Sequence, residues 1–298
     1  VIHKTLRFVW PHTLKKKIDL ILDGFEPDAI HSQSHLVMGR ILARSGKERG
    51  IKLIATNHLM PENVLKYLHL PKFLETRVSK RLWKDSGLVL AKYDHVTTPT
   101  KRAAELLENA AGIKNVLAIS CGIDATKFTN PTRTSNQPFR ILFLGRLDWE
   151  KHIHNLIKAA GTFPKDIDFY IEIAGEGNQK KYLADLASKL GIADRVKFLG
   201  HISEEELPKA YERATVFAMP SIAELQSIAT MEAMASGRPV VAANAMALPH
   251  LVHHGDNGYL FEPDDVSDFA SCLMKIATAD QKELDRLSEN SIHMIQSH

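Results

Sequence analysis

Along this chain, short apolar runs alternate with segments whose apolar residues recur at helical spacing. The fullest instance spans residues 216–243: Val-Phe-Ala-Met ends at Pro220, a helical pattern follows immediately and runs to Gly237, and Pro-Val-Val-Ala-Ala comes next. A run that is apolar at every position suits a strand buried on both faces. Gly237 accepts a left-handed helix cap cheaply and Pro239 cannot continue a helix, so strand, helix, stop and strand are predicted in that order. The same alternation fills the rest of the chain. A helical face at Leu14, Ile18, Ile21 and Leu22 precedes a strand at Phe-Glu-Pro-Asp-Ala-Ile-His, a helix at residues 34–44 and a strand ending at His58. Residues 71–86 follow as a helix, then a strand at 95–99, a helix from Lys101 and a strand at 116–120 running into Cys-Gly-Ile-Asp.

Residues 129–138 (TNPTRTSNQP) interrupt this pattern, being polar with two prolines and no apolar periodicity, and read as a linker. Beyond it come a strand at 140–145, a helix from about His152, a strand at 169–174, a helix from about Gln179, a strand at 195–200 and a short helix from Glu204. Parallel strands need long connections and helices supply them, so the order predicts an α/β protein of two parallel-sheet domains, residues 1–130 and 137–298. Residues 1–13 open without a helix cap or a complete strand unit, and the first domain is expected to be truncated at its start.

Composition narrows the class without naming a chemistry. With 44% hydrophobic and 24% charged residues the chain has the makeup of a soluble globular protein rather than a disordered one. A net charge of +3 does not argue for nucleic acid, so any anionic partner must be met locally. Cys121 and Cys272 are far apart in sequence, which suits free thiols in a reducing compartment. No apolar run reaches bilayer length and no signal-peptide pattern opens the chain, so a cytoplasmic location is expected. Residues 71–86 hold Lys72, Arg77, Lys80, Arg81 and Lys84 among Phe73, Leu74, Val78, Leu82 and Trp83. That is either a surface helix with a solvated basic side or an interfacial helix that meets anionic lipid headgroups.

Candidate chemistry gathers in the second domain, where strands end in turns at Gly-Arg-Leu-Asp-Trp-Glu-Lys (145–151), Gly-Glu-Gly (175–177) and the segment before Glu224. In an open parallel sheet such turns meet on one rim, where ligands gather. Arg146 and Lys151 beside helix starts suit a diphosphate, or else form an exposed charge group with Asp148 and Glu150. Ser221 and Glu224 have capping-box spacing, which gives Glu224 a purely structural alternative. If the whole stretch is helical, Glu232 lies roughly 12 Å beyond Glu224, suiting the two ends of an extended ligand. Glu232 sits among Met231, Ala233 and Met234 and needs a partner where it is buried; ligand hydroxyls would serve. The histidine pairs His31/His35, His152/His154 and His253/His254 lack the cysteines or carboxylates that would complete a metal site, and no metal is expected.

Together, Gly145-Arg-Leu…Glu-Lys151, Phe-Leu-Gly at 198–200, Glu224 with seven residues before Glu232, Glu-Ala-Met-Ala-Ser-Gly…Pro-Val-Val-Ala at 232–242 and Asp-Asn-Gly-Tyr-Leu-Phe at 256–261 resemble the retaining glycosyltransferases of family 4. Pro-Asp-Ala-Ile-His at 27–31, Thr-Asn-His at 56–58 and Cys-Gly-Ile-Asp-Ala-Thr-Lys-Phe at 121–128 extend the resemblance over nearly the whole chain. It implies the GT-B fold, two Rossmann-like domains facing across a cleft, with a nucleotide-sugar donor (UDP- or GDP-sugar) on the second domain and a hydroxyl acceptor, a lipid or glycan, on the first. By motif position Arg146 and Lys151 would bind the diphosphate, Glu232 the ribose hydroxyls, Glu224 the transferred sugar and Ile202 the base. Gly145 lies in the same turn, and Leu225, Gln226, Ser227 and Ile228 would offer backbone amides to phosphate. His58 would face the reacting sugar, so His58 and Glu224 are the catalytic candidates. The family works without a cofactor and usually without a metal.

The chain departs from the family pattern at several points. Leu225, Gln226 and Ser227 stand where Gly-Phe-Gly is common, Cys121 replaces an asparagine and His250 a glutamate. The family's opening strand and glycine-rich loop are not found, and the chain stops at His298 in a helical stretch. The expectation is a hexosyltransferase, with residues 71–86 as the candidate dock on an anionic membrane and a non-catalytic nucleotide-binding remnant as the alternative. A dehydrogenase-type dinucleotide binder is disfavoured because G-x-G-x-x-G is absent.

Overall fold

A computed structural model describes residues 11–61, 65, 71–128 and 138–296, and the chain divides into two compact units, Val1–Ser120 and Cys121–His298. Among the described residues the first unit contains α1 (Pro11–Phe25), β1 (Ala29–Ser32), α2 (Val37–Glu48), β2 (Lys52–Thr56), α3 (Lys72–Leu90), β3 (His95–Thr98), α4 (Lys101–Ala111) and β4 (Leu117–Ala118). Its strands form a parallel sheet in the order β1-β2-β3-β4. The helix predicted from residue 34 starts at Val37, because the Ser34 hydroxyl accepts from the Leu36 amide and the Ser32 hydroxyl donates to the Ser34 carbonyl, closing a local turn first. Thr100 caps α4 by accepting from Ala103, and Gly112 ends it at φ +70°.

The second unit carries β5 (Phe139–Leu144), α5 (Ile153–Ala160), β6 (Phe169–Ala174), α6 (Lys180–Lys189), β7 (Val196–Gly200), α7 (Glu206–Arg213), β8 (Val216–Met219), α8 (Ile228–Ala235), β9 (Val240–Ala243), β10 (Gly258–Phe261), α9 (Val266–Ala277) and α10 (Gln281–Ile295). Its six strands are parallel in the order β10-β9-β8-β5-β6-β7. Every residue of β8 and β9 is buried, as their apolar runs predict, and the core closes around Ile141, Phe143, Ile171, Phe217 and Val241. From β5 the chain builds outward through β6 and β7, then returns to place β8, β9 and β10 on the other side. The strand order therefore reverses between β5 and β8.

One expectation changes here. The segment after Pro220 is not helical at once: α8 begins at Ile228, capped by Ser227, whose hydroxyl accepts from Thr230. Ser221 does not form a capping box with Glu224, because its hydroxyl donates instead to the Glu150 carbonyl at 3.3 Å. The axial spacing estimated for Glu224 and Glu232 therefore does not apply. Residues 121–128, expected to end the first domain, fall in the second unit, where Phe128 packs edge-on against Tyr211 at 5.7 Å. The linker expected at 129–138 lies outside the described residues except for Pro138.

Candidate functional site

At the carboxyl edge of the second sheet the strand-end turns are bonded to one another. Gly145 donates its amide to Ala174 at 3.0 Å, Leu147 to Glu176 at 2.9 Å, and Gly175 to Gly200 at 2.7 Å. The fit needs glycine: Gly175 adopts φ +126°, and a Cβ there would lie 1.9 Å from the Gly145 carbonyl oxygen. The loop after β8 joins the same rim, since Ile222 donates to Glu150 at 3.2 Å and Ala247, beyond β9, donates to the Glu224 carbonyl at 3.1 Å.

Lys151 follows β5 and Glu224 follows β8, so the two meet where the strand order reverses. Lys151 Nζ is ion-paired with Glu224 Oε1, and the side chains are only 14% and 10% exposed. Arg146 reaches back to Asp148 at 2.6 Å and to Glu150 at 2.7 Å, both carboxylates being nearly buried while the guanidinium stays open to solvent. Of the two readings of these charges, the structure realises the charge group at Arg146 and links Lys151 across the rim to Glu224.

Leu225, Gln226 and Ser227 lie in the β8–α8 loop and Ile228 opens α8, 37% exposed. The Gln226 amide oxygen accepts from the Cys121 backbone at 2.9 Å, tying residues 121–128 to this loop. Ser227 is buried and its hydroxyl is engaged with Thr230, whose own hydroxyl lies 2.8 Å away. Glu232 projects from α8 with its Oε2 accepting from the Tyr211 hydroxyl at 2.8 Å. Burial pushes the Glu232 carboxyl above the usual carboxylate range, opposed by the Tyr211 hydrogen bond and the charge of Lys127. Ile202, after β7, is half-buried against the core.

Sequence spacing missed Tyr211. It sits on an amphipathic helix where a tyrosine looks like one more core aromatic, and only its hydroxyl partner, 21 positions away, gives it a role.

In the first unit, a separate polar cluster occupies the carboxyl edge. The side-chain Oε1 of Gln33 lies 2.8 Å from His58 Nε2, Gln33 Nε2 lies 3.1 Å from His31 Nε2, His31 Nε2 lies 2.7 Å from the Thr56 hydroxyl, and the Thr56 hydroxyl lies 2.7 Å from that of Thr97. Burial, with the nearby His31, holds His58 below the usual histidine value. His35 lies between Asn57 Oδ1 at 3.1 Å and the Ser86 hydroxyl at 3.0 Å, and burial depresses its pKa too. His152 pairs with Asp264 at 2.8 Å, and His254 Nδ1 lies 3.0 Å from the Leu260 carbonyl.

Comparison with known proteins gives this geometry a lineage. The family model for group 1 glycosyl transferases matches residues 124–294, and that for glycosyltransferase family 4 matches residues 2–127. An uncharacterized glycosyltransferase of Methanocaldococcus jannaschii is 38% identical over 130 residues, covering 43% of this chain and 33% of that protein. The α-monoglucosyldiacylglycerol synthase of Streptococcus pneumoniae is 26% identical over 279 residues, covering 88% of this chain and 62% of that protein. The chain thus spans between a third and two thirds of the length of these relatives. The Anabaena protein HepE, solved in complex with UDP, superposes with a TM-score of 0.79 at 21% identity, covering 96% of this chain and 78% of HepE. The chain belongs to the group 1, family 4 glycosyltransferases and has the two parallel-sheet domains of the GT-B fold.

Proposed function

We propose that the protein is a retaining hexosyltransferase that moves a hexose from a UDP- or GDP-sugar to a hydroxyl on a lipid or glycan acceptor. The observation that carries this reading is the Lys151–Glu224 pair, buried at the reversal of strand order, where open parallel sheets bind ligands. Breaking a glycosyl phosphate bond builds negative charge on the departing diphosphate and positive charge on the sugar. Lys151, Arg146 and the backbone amides from Leu225 to Ile228 serve the first, beside the Gly145 turn. Glu224 serves the second, Glu232 binds the ribose hydroxyls and Ile202 lies against the base. His58, on the first unit, is the acceptor-side catalytic candidate. The UDP bound to HepE supports the donor class, and the name of the S. pneumoniae relative supports a lipid acceptor.

A thermal-shift screen of UDP, GDP, ADP and their sugars tests the reading, because a ligand that binds only the folded state raises its melting temperature. One of these nucleotides should stabilise the wild type; Glu232→Ala should abolish the shift, while Glu224→Ala should keep it and lose turnover. Unchanged behaviour in both variants rejects the site. Nucleotide binding without donor hydrolysis or transfer assigns the chain a non-catalytic binding role.

The reading extends to a membrane surface. On α3, Leu74, Arg77, Arg81, Lys84 and Leu88 follow one another at helical spacing and all are exposed, with Lys80 beside them. No ion pair among the described residues engages these cations, whereas Asp85 is paired with Arg40. A cationic stripe with leucine at both ends suits a bilayer of anionic headgroups. Vesicles containing anionic lipid should sediment the wild type and not a variant with Arg77, Lys80, Arg81 and Lys84 neutralised; equal sedimentation refutes the docking.

A further inference from the structure

Resting on the donor-site reading, we infer that Tyr211 is a positioning residue for Glu232: its buried hydroxyl fixes one carboxylate oxygen so that the other faces the two hydroxyls of a nucleotide ribose. Tyr211 is completely buried on α7, and its single phenolic hydrogen faces two acceptors on α8, Glu232 Oε2 at 2.8 Å and the Ala229 carbonyl at 3.0 Å. Side chain and helix backbone are thereby held by the same atom. A free glutamate on a helix samples several rotamers, and fixing one lowers the entropy lost when a ligand docks. Among the described residues, no side-chain partner occupies Glu232 Oε1, and a carboxylate oxygen accepts two hydrogen bonds, which a vicinal diol supplies.

The ring of Tyr211 is itself fixed. Phe128 meets it edge-on at 5.7 Å with an interplanar angle of 80°, and Phe217 of β8 packs at 5.8 Å. Phe128 belongs to residues 121–128, whose other end is anchored by Cys121 donating to Gln226. The strap, the β8–α8 loop and the ribose carboxylate are therefore held as one assembly through a residue with no place in the ligand contacts. Desolvation raises the phenol well above its usual range, with Glu232 adding to the shift, so it stays a proton donor throughout the physiological range. The charge of Lys127, from the same strap, and the Tyr211 hydrogen bond both oppose the upward push of burial on the Glu232 carboxyl.

The test compares UDP with 2′,3′-dideoxy-UDP by calorimetric titration of the wild type, Tyr211→Phe, Glu232→Gln and the double variant, with the GDP and ADP pairs run alongside. Phenylalanine keeps the ring contacts with Phe128 and Phe217, and ligand-free melting curves report the fold. Tyr211→Phe should weaken the ribonucleotide about tenfold, the usual worth of a hydrogen bond to a charged group, and change the dideoxy analogue less than about twofold. In the Glu232→Gln background the same substitution should add little, because the two residues act as a unit. Equal weakening of both nucleotides, or additive effects in the double variant, would make Tyr211 a mere packing residue and overturn the inference. Unchanged UDP binding in Tyr211→Phe overturns it while leaving the donor site intact. A wild type that binds UDP and its dideoxy analogue equally, or binds none of the nucleotides, instead overturns the donor-site reading, and this inference with it.

Discussion

The carboxyl edges of the two sheets are built from different materials. In the second unit, the edge is glycine and charge: Gly175 and Gly177 let backbone approach backbone, and Arg146, Asp148, Glu150, Lys151 and Glu224 are bonded in ion pairs around them. Among the described residues of the first unit it is neutral: Gln33, His31, Thr56, Thr97 and His58 hydrogen-bond to one another, and no described carboxylate joins the network. A charged edge with close backbone can neutralise a diphosphate. The neutral edge can orient a hydroxyl but offers little against two phosphate charges. On the proposed function, the difference fits donor chemistry on the second sheet and acceptor chemistry on the first, and it can be broken by substitution.

The largest effect belongs to Lys151→Met. Removing the lysine leaves Glu224, 10% exposed, without its counter-ion, and breaking such a buried pair costs about 3 kcal/mol. Turnover should fall at least about 100-fold as the diphosphate loses a preorganised cation. Lys151→Arg should recover part of both. Urea unfolding and a donor-turnover assay check this; a Lys151→Met variant as stable and active as the wild type would remove the charged edge from the mechanism.

How much of this the sequence announced depends on how local each cause is. The strands of the second unit were legible because Val-Phe-Ala-Met and Val-Val-Ala-Ala are apolar at every position and end in helix stops. The capping-box alternative for Ser221 and Glu224 is ruled out by a distant partner, since the Ser221 hydroxyl donates to the Glu150 carbonyl, 71 positions earlier. Lys151 and Glu224 could be suspected singly, but their pairing depends on β5 and β8 being neighbours, which no local pattern encodes. The contacts of residues 121–128 are equally non-local: Phe128 meets Tyr211 and Cys121 meets Gln226, partners up to 105 positions away that no local pattern announces. The cluster around His31 and Gln33 was invisible for the same reason, since three strands must be set side by side before its members meet.

Acid sharpens the comparison at intermediate size. His154 packs among Trp149, His152 and Tyr182 in the second unit, and burial, followed by the charge of His152, depresses its pKa to about 4. An unfolded histidine titrates near 6.5, so this group's contribution is fully present above that value and lost as pH falls from about 6.5 through about 4. His35 imposes a loss of the same sign on the first unit, beginning below the ordinary histidine value. In the His154→Phe variant the acid-induced loss should shrink in the second unit alone. Hydrogen exchange at pH 7 and pH 5, compared between β2 and β5, reads the two units separately; equal protection changes in both would show that acid does not discriminate between them.

The smallest effect tests the neutral edge. Thr97→Val keeps the side-chain shape, and Thr97 is buried, but it removes the hydroxyl 2.7 Å from Thr56 and so unties one end of the chain leading through His31 and Gln33 to His58. The stability loss should be about 1 kcal/mol, the usual worth of one neutral hydrogen bond. Nucleotide affinity should not change, because nothing in this network carries the charge that holds a diphosphate. Turnover should fall a few-fold through looser placement of His58, and raising the ionic strength should weaken nucleotide binding equally in variant and wild type, the result expected of a donor site in the second unit. A Thr97→Val variant that loses nucleotide affinity would show that the neutral edge takes part in gripping the donor, and the division between the two edges would have to be redrawn.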